Sequence, residues 1–339
     1  MGNCSRKEAN DTSVSITLDH FDQLYAIGKG AYGRVLKVRH KPSGRVFAMK
    51  EMFKNLIVNK NSGQSIQNER QLLGILRHPF IVNLYYAFQN AQSLYLVIDL
   101  MNGGDLRYYL MKHQVIPEAN LRFLASCIIS GLEYLHSNQI IHRDLKPENL
   151  VFDEYGYLHL TDFGIARSAD TDNTGVTSGT PGYMAPEVIC CQNHNTVADY
   201  FGLGVMLYEI ATGNRPYLGA SRKEIRENIL VKQVKMPKTK VLSEEFQDFV
   251  NKLILRKPEN RLGAGGIQEL KDHDWLKGFE WNKLYSKEIK SPFKIVDEIN
   301  FDRQQVNEKF KKIGIKTSEI NQKMFTGYFF DHSMFSRVN

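Results

Sequence analysis

Apolar and polar positions alternate through HFDQLYAIGKGAYGRVLKVRH, residues 20–40, and glycines interrupt the alternation midway. A period of two broken by glycine predicts two strands joined by a glycine-rich turn. Two more short β-type runs follow, RVFAMKEM and SLYLVIDLM, and SIQNERQLLGILRH between them has its apolar residues at helical spacing. The N-terminal part therefore reads as a small, mainly β unit holding one helix. From about residue 105 the period changes. NLRFLASCIISGLEYLHSN is amphipathic and ends at Asn138, while VADYFGLGVMLYEIATG is apolar nearly all round, as a buried helix is, with Gly213 as its stop. A large helical unit thus follows the small β one, which makes the expected class α+β. Residues 1–20 are polar and read as a flexible arm. Residues after about 278 mix charge and aromatics without one clear period, and no internal repeat recurs.

The chain has 339 residues, 42% of them apolar, enough for a substantial core. Its formal charge of +7 is spread between acidic residues instead of gathered in a block, so no nucleic-acid partner is expected. The four cysteines, Cys4, Cys127, Cys190 and Cys191, have neither metal-ligand spacing nor a disulfide rhythm, which reads as a reducing, cytoplasmic compartment. No apolar run approaches the length of a bilayer span, and MGNCSRKEANDTS lacks the apolar core of a secretory signal. Gly2 is the acceptor position for N-myristoylation, and Cys4 could carry a second lipid beside the basic Arg6 and Lys7. Peripheral membrane association is the expectation if that happens. An unmodified arm is the alternative.

The chemistry begins at GKGAYGRV, where Gly28, Gly30 and Gly33 give G-x-G-x-x-G-x-V. Glycines let a backbone turn approach phosphates and offer them amide N–H groups. The same spacing marks dinucleotide sites, but those need the glycines to open a helix. Here VLKVRH continues as a strand, so a β hairpin covers the phosphates. Lys50 in FAMK alone could be an ordinary exposed lysine. Glu69, nineteen positions later on the expected helix, supplies a counter-charge that would fix it. In IIHRDLKPENLVF, Asp144 can accept or orient a hydroxyl proton and Lys146 can neutralise a phosphoryl group in flight. Asn149 can ligate a divalent metal through its side-chain oxygen. TDFG at 161–164 adds Asp162, a hard carboxylate suited to Mg²⁺.

The order GKGAYGRV, FAMK, NERQLL, HRDLKPEN, DFG, APE and ADYFGLG across residues 21–277 resembles that of the eukaryotic protein kinases. The resemblance implies a bilobal kinase fold: a small antiparallel N-lobe over 21–101 with one regulatory helix, and a helical C-lobe over 102–277. It implies ATP and Mg²⁺ as cofactors. Lys50 would contact the α/β-phosphates and pair with Glu69, Asp144 would be the catalytic aspartate, and Asn149 and Asp162 would hold Mg²⁺. Ile27, Gly28, Gly30, Gly33, Val35, Ala48, Asp99, Met101, Asp105, Val151 and Thr161 would surround the nucleotide. Glu187 would pair with Arg261, and Asp199 would brace the catalytic loop.

DLKPEN, with Thr180 in GTPGY, resembles the Ser/Thr kinases, so the implied partner is a protein Ser/Thr substrate. HFDQLYAIGKGAYGRV, RHPFIVNLYYAF and NRLG look like the AGC group, within which GGDLRYYL is most similar to the yet-another-novel-kinase group. Asp105, Glu148 and Glu209 fall where basophilic members face a substrate arginine, which implies a preference for basic residues upstream of the target. Solvated surface, or for Asp105 a ribose contact, is the alternative. Arg143 and Arg167 could form a pocket for a phosphate placed by an upstream activating kinase on SADTDNTGVTSGTPGY. The usual phosphothreonine position is Val176, leaving Thr174, Thr177 and Ser178 as neighbours. Gly182, Phe201 and Gly202 also depart from the group pattern. Residues 278–339 resemble the AGC C-terminal extension, and in MFTGYFFDH the aromatic plugs would be Phe325, Tyr328 and Phe330, with Phe329 where a phosphorylatable residue is common. The segment could instead pack elsewhere. Two other readings stand beside the enzyme, a nucleotide-binding scaffold without phosphoryl transfer and a small-molecule kinase. Scaffolds usually lose Lys50, Asp144 or Asp162, and the APE segment with Thr180 resembles a peptide platform.

Overall fold

The computed structural model describes residues 16–113, 116–238, 241–295 and 322–332. Gly2 and Cys4 lie outside the described residues. The glycine-interrupted alternation folds as a hairpin of β1 (Phe21–Gly30) and β2 (Gly33–His40), with Gly30 opposite Gly33. Gly33 is required there: a Cβ would come within 2.0 Å of the Glu51 carbonyl oxygen. Three more antiparallel strands, β3 (Val46–Phe53), β4 (Leu84–Gln89) and β5 (Ser93–Ile98), extend the sheet. Two helices pack with it, α1 (Lys54–Asn59) and α2 (Gly63–Ile75), where one was expected. The extra helix is six residues long, too short for periodicity to reveal.

The large lobe contains α3 (Leu106–Lys112), α4 (Glu118–Ser137), α5 (Pro186–Ile189), α6 (Val197–Thr212), α7 (Arg222–Val231) and α8 (Glu244–Leu253). Two small two-stranded pairings lie in the same lobe. One joins β6 (Ile140–Ile141) to β9 (Arg167–Ser168), the other β7 (Leu150–Phe152) to β8 (Leu158–Leu160). The helix ends follow the expected signals. Asn138 caps α4, and Gly213 closes α6 in the left-handed conformation at φ +78°. One buried ion pair ties this lobe together: both ends of the Arg261 guanidinium reach Glu187, at 2.7 and 3.0 Å.

Segments on both sides of 21–277 also join the fold, among them residues 278–295, whose Leu284 and Phe293 are buried in the core. The polar arm expected through residue 20 gives way earlier, because Ile16 is buried in a cluster with Phe21, Val38 and Phe88. One apolar residue next to a sheet edge is enough to anchor a chain end. At the other end, Phe330 and Asp331 form β10 antiparallel to β4, so the sheet order is β1-β2-β3-β5-β4-β10.

His78 sits between the lobes. Its ring stacks on Tyr134 of α4 at 4.9 Å, and its Nδ1 accepts from the Phe80 amide at 3.2 Å. Burial, with help from His159, pushes its pKa down to about 4 from an ordinary 6.5. Between those values the unfolded chain binds a proton that the folded ring refuses, so stability falls as pH drops through that window. The loss reaches about 3 kcal/mol near pH 4. Urea melts at pH 7 and pH 4.5 should show a steeper acid loss in wild type than in His78→Gln. Equal losses would contradict this assignment.

Candidate active site

The hairpin of β1 and β2 roofs the cleft, and the register of the sheet sets what lies beneath it. Val35 is opposite Lys50 on β3, and Lys50 is opposite Leu96 on β5. Lys50 Nζ reaches Glu69 Oε1 on α2 at 2.8 Å. Burial opposes its charge, but Glu69 and Asp162 outweigh that cost and hold the ammonium above its ordinary pKa. The lysine is therefore a fixed positive charge under the glycine loop. Ala48, beside it on β3, faces Ile98 across the sheet. Past β5, the Asp99 amide donates to the Asn83 carbonyl, and its carboxylate holds the Asn83 side chain at 2.8 Å. The chain then runs through Met101 to Gly103, whose amide donates to Phe152. A Cβ on Gly103 would stand 2.3 Å from that of Phe152, so close approach demands glycine here. Asp105 caps α3 by accepting from Tyr108 and bridges to Val151, while Thr161 donates its amide to Asn149.

The floor is the loop 142–149. Lys146 Nζ donates to Asp144 Oδ2 at 2.5 Å and to Thr180 Oγ1 at 2.8 Å, and Thr180 Oγ1 donates to Asp144 Oδ1 at 2.7 Å. Asn149 Nδ2 donates to both Asp144 oxygen types, the backbone carbonyl at 2.9 Å and the carboxylate at 3.0 Å. Its amide oxygen is then the atom left for a cation. Asp162 stands at φ +64°, a conformation that costs a non-glycine residue about 1–2 kcal/mol. Burial would raise its pKa, yet Lys50 and the Gly164 amide lower it further, so it is a carboxylate at neutral pH. One carboxylate and one amide oxygen fit Mg²⁺, which takes few protein ligands and completes its shell with water and phosphate oxygens. When bound, that ion would neutralise phosphate charge.

Asp199 on α6 holds the loop in shape. It accepts from the amides of His142 at 2.9 Å and Arg143 at 2.8 Å, and it contacts His136 Nε2 at 2.8 Å. Arg143 is at φ +67°, so the two amide bonds offset backbone strain one residue before Asp144. Leu73, Leu84, His142 and Phe163 are all buried behind the site, with the His142 and Phe163 rings 5.2 Å apart.

Sequence reasoning missed several contacts. Ser65 donates to the Gly164 carbonyl, and Asn68 donates to Ala166 at 2.8 Å, so α2 is tied directly to the Asp162 loop. Lys54 is 1% exposed and donates to Gln89, to the Asn90 carbonyl and to Gln322 at 2.6 Å, which fastens the tail to the small lobe. Phe325, Tyr328 and Phe330 are buried there, with Phe330 against Gly74 of α2 and beneath the Arg77 guanidinium. Only the length of chain between partners hides the contacts of Ser65, Asn68 and Lys54; the burial of the three aromatics is where MFTGYFFDH led the sequence analysis to expect it.

The loop arginines lie near each other, while Glu148 and Glu209 are placed differently from expectation. Arg143 Nε donates to Ile165, and its Nη1 is buried without a partner among the described residues. Burial and the neighbouring Arg167 push its pKa down to about 10. Thr174 is exposed, and Thr177 Oγ1 lies 2.8 Å from Cys191 Sγ. Glu148 and Glu209 do not stand open to a substrate arginine. Arg107, which the sequence reading passed over, bridges them at 2.9 and 3.0 Å. Asp105 is committed to its helix cap.

A fixed ammonium, a carboxylate held by a lysine and two oxygens suited to a divalent cation lie under one glycine hairpin, an arrangement fitted to hold phosphate groups. The protein kinase domain model matches residues 21–276 of the chain. A serine/threonine-protein kinase of Arabidopsis thaliana, AtPK2/AtPK19, is 40% identical over 86% of this chain and 62% of its own length. Protein kinase 2 of Dictyostelium discoideum is 37% identical over 87% of this chain and 62% of its own. The human ribosomal protein S6 kinase alpha-1 is 39% identical over 92% of this chain and 44% of its own. The chain belongs to the protein kinase family. It spans less than two thirds of the length of these relatives.

Asp199→Ala should unlock the loop. It strands two buried amides, so urea unfolding should show a loss of about 3 kcal/mol, and single-turnover transfer should slow at least about a hundredfold. Unchanged transfer would refute its bracing role.

Proposed function

We propose that the chain is a protein Ser/Thr kinase that moves the γ-phosphoryl group of Mg-ATP to a Ser or Thr hydroxyl of a protein. The observation that carries this reading is the contact set of Asp144, Lys146, Asn149 and Thr180 opposite the Lys50–Glu69 pair. Lys50 grips phosphate oxygens from above. Asp144 orients the acceptor hydroxyl and takes up its proton as the new P–O bond forms and the bond from the γ-phosphorus to the β,γ-bridging oxygen breaks, releasing ADP, while Lys146 meets the charge on the phosphoryl oxygens. Thr180 already presents a hydroxyl to Asp144 and Lys146, which supports a Ser/Thr acceptor reaching the same pair. The Ser/Thr kinase names of the relatives support the same class.

Finer assignments follow from the sequence motifs. GGDLRYYL supports membership of the yet-another-novel-kinase subgroup of AGC kinases. An upstream kinase modifies Thr174 or Thr177, and the stranded Arg143 Nη1 beside Arg167 receives that phosphate. A lipid on Gly2, with Cys4, brings the chain to a membrane surface.

Transfer from γ-labelled Mg-ATP to Ser/Thr peptides should be robust in wild type and at least about a thousandfold lower in Asp144→Asn, with an unchanged melting curve. Retained turnover in the variant would remove Asp144 from its role.

A further inference from the structure

Glu148 on the catalytic loop and Glu209 on α6 already hold an arginine, and it belongs to this chain. Arg107 leaves the first turn of α3, and its guanidinium donates from Nε to Glu148 and from Nη1 to Glu209, while Nη2 donates to the Tyr183 hydroxyl at 2.7 Å. Tyr183 in turn donates to Glu209. Glu209 is 9% exposed and Tyr183 5%, so the Glu209 end of the network is largely desolvated, while Glu148 at the other end is exposed. Burial opposes the charge on Arg107, but Glu209 and Glu148 hold it well above the ordinary range.

A second cation stands beside it. Arg215 Nε is 4.0 Å from Glu209, and its guanidinium lies over the Tyr183 ring. Gly182, at φ +101°, makes room for it, since a Cβ there would come to 3.2 Å from Arg215 Nη1. Two carboxylates thus meet two guanidiniums, and the net charge of the cluster is zero.

The network begins at the reacting group. Asp144 accepts from Thr180, the Tyr183 amide donates to Thr180, and Tyr183 leads through Glu209 and Arg107 to Glu148, four residues after Asp144 on the same loop. A peptide whose hydroxyl sits at Asp144 must lay a neighbouring side chain close to this cluster. An arginine on that peptide would have to displace Arg107. A tethered group acts at an effective concentration of about 1 mM, so a micromolar peptide is outcompeted by about a thousandfold.

We propose that Arg107 is a specificity-determining residue, filling in cis the two-carboxylate site that would otherwise bind a substrate guanidinium, so that the kinase accepts Ser/Thr peptides without requiring a basic neighbour. This rests on Asp144 being the transfer site. The test is a positional Ser/Thr peptide library phosphorylated by the full chain as wild type, Arg107→Ala, Arg107→Lys and Arg107→Ala/Glu209→Gln.

Wild type should rank arginine within about threefold of alanine at every flanking position, and Arg107→Ala should gain at least about tenfold selection for arginine at one of them. The double variant, which removes the buried one of the two carboxylates that Arg107→Ala uncovers, should lose that gain, and Arg107→Lys, which cannot span both acids, should fall between. Strong arginine selection by wild type overturns the proposal even if Arg107→Ala does not fold. So does a folded Arg107→Ala with no gain. Wild type that phosphorylates neither the library nor casein overturns the transfer reading beneath it, and the proposal with it.

Discussion

The small lobe is organised around one ion pair, Lys50 with Glu69, and the rest of the site depends on where α2 puts that carboxylate. Glu69 is 4% exposed, so losing its partner would leave a buried charge, a change that costs about 3–5 kcal/mol in comparable pairs. Three contacts fix the helix that carries it. Ser65 and Asn68 bond it to the loop of Asp162, and Gly74 packs it on Phe330 of the tail. The strand that carries Lys50 lies at the centre of the sheet, whose far edge is β10 of the same tail. Lys50, the Asp162 loop and the tail are therefore one mechanical unit.

The cleft residues were legible because their chemistry is local or ordered. Glycines that precede a strand, a lysine on the next strand and an Asp-x-Lys-x-x-Asn run each carry a requirement that few other residues meet. The long helices α4 and α6 were legible because a period holds over many turns and their stop signals stand where the chain stops. What escaped was non-local. Arg107 meets Glu148 and Glu209 across 41 and 102 positions, and Lys54 meets Gln322 across 268. Each looked like an ordinary polar residue in its own window. Glu148 and Glu209 were read as open for the same reason: their carboxylates were visible, while the Arg107 that bridges them was not. Helix α1 and the anchor at Ile16 were too short to show a period.

A common economy links the Arg107 cluster, which sequence reasoning missed, to the docked tail, which it expected. The Arg107 cluster and the docked tail both satisfy from within the chain a need that an external group could otherwise meet, a substrate guanidinium in one case and an added phosphate in the other. Phe329 cannot be phosphorylated, and the three aromatics beside it contribute roughly 1.5–3 kcal/mol each by apolar burial. Lys54 adds its hydrogen bonds and lies over the Phe325 ring at 5.1 Å. Assembly of the small lobe then needs no modification of the tail.

The most direct test of that claim compares the full chain with one ending at residue 321, measuring transfer to a Ser/Thr peptide before and after adding a synthetic peptide of residues 322–332. The account predicts a loss of at least about tenfold on truncation, recovered when the peptide is added in trans. A truncated chain as active as the full one, with an unchanged melting temperature, would contradict the claim that the tail holds the Lys50–Glu69 pair in place.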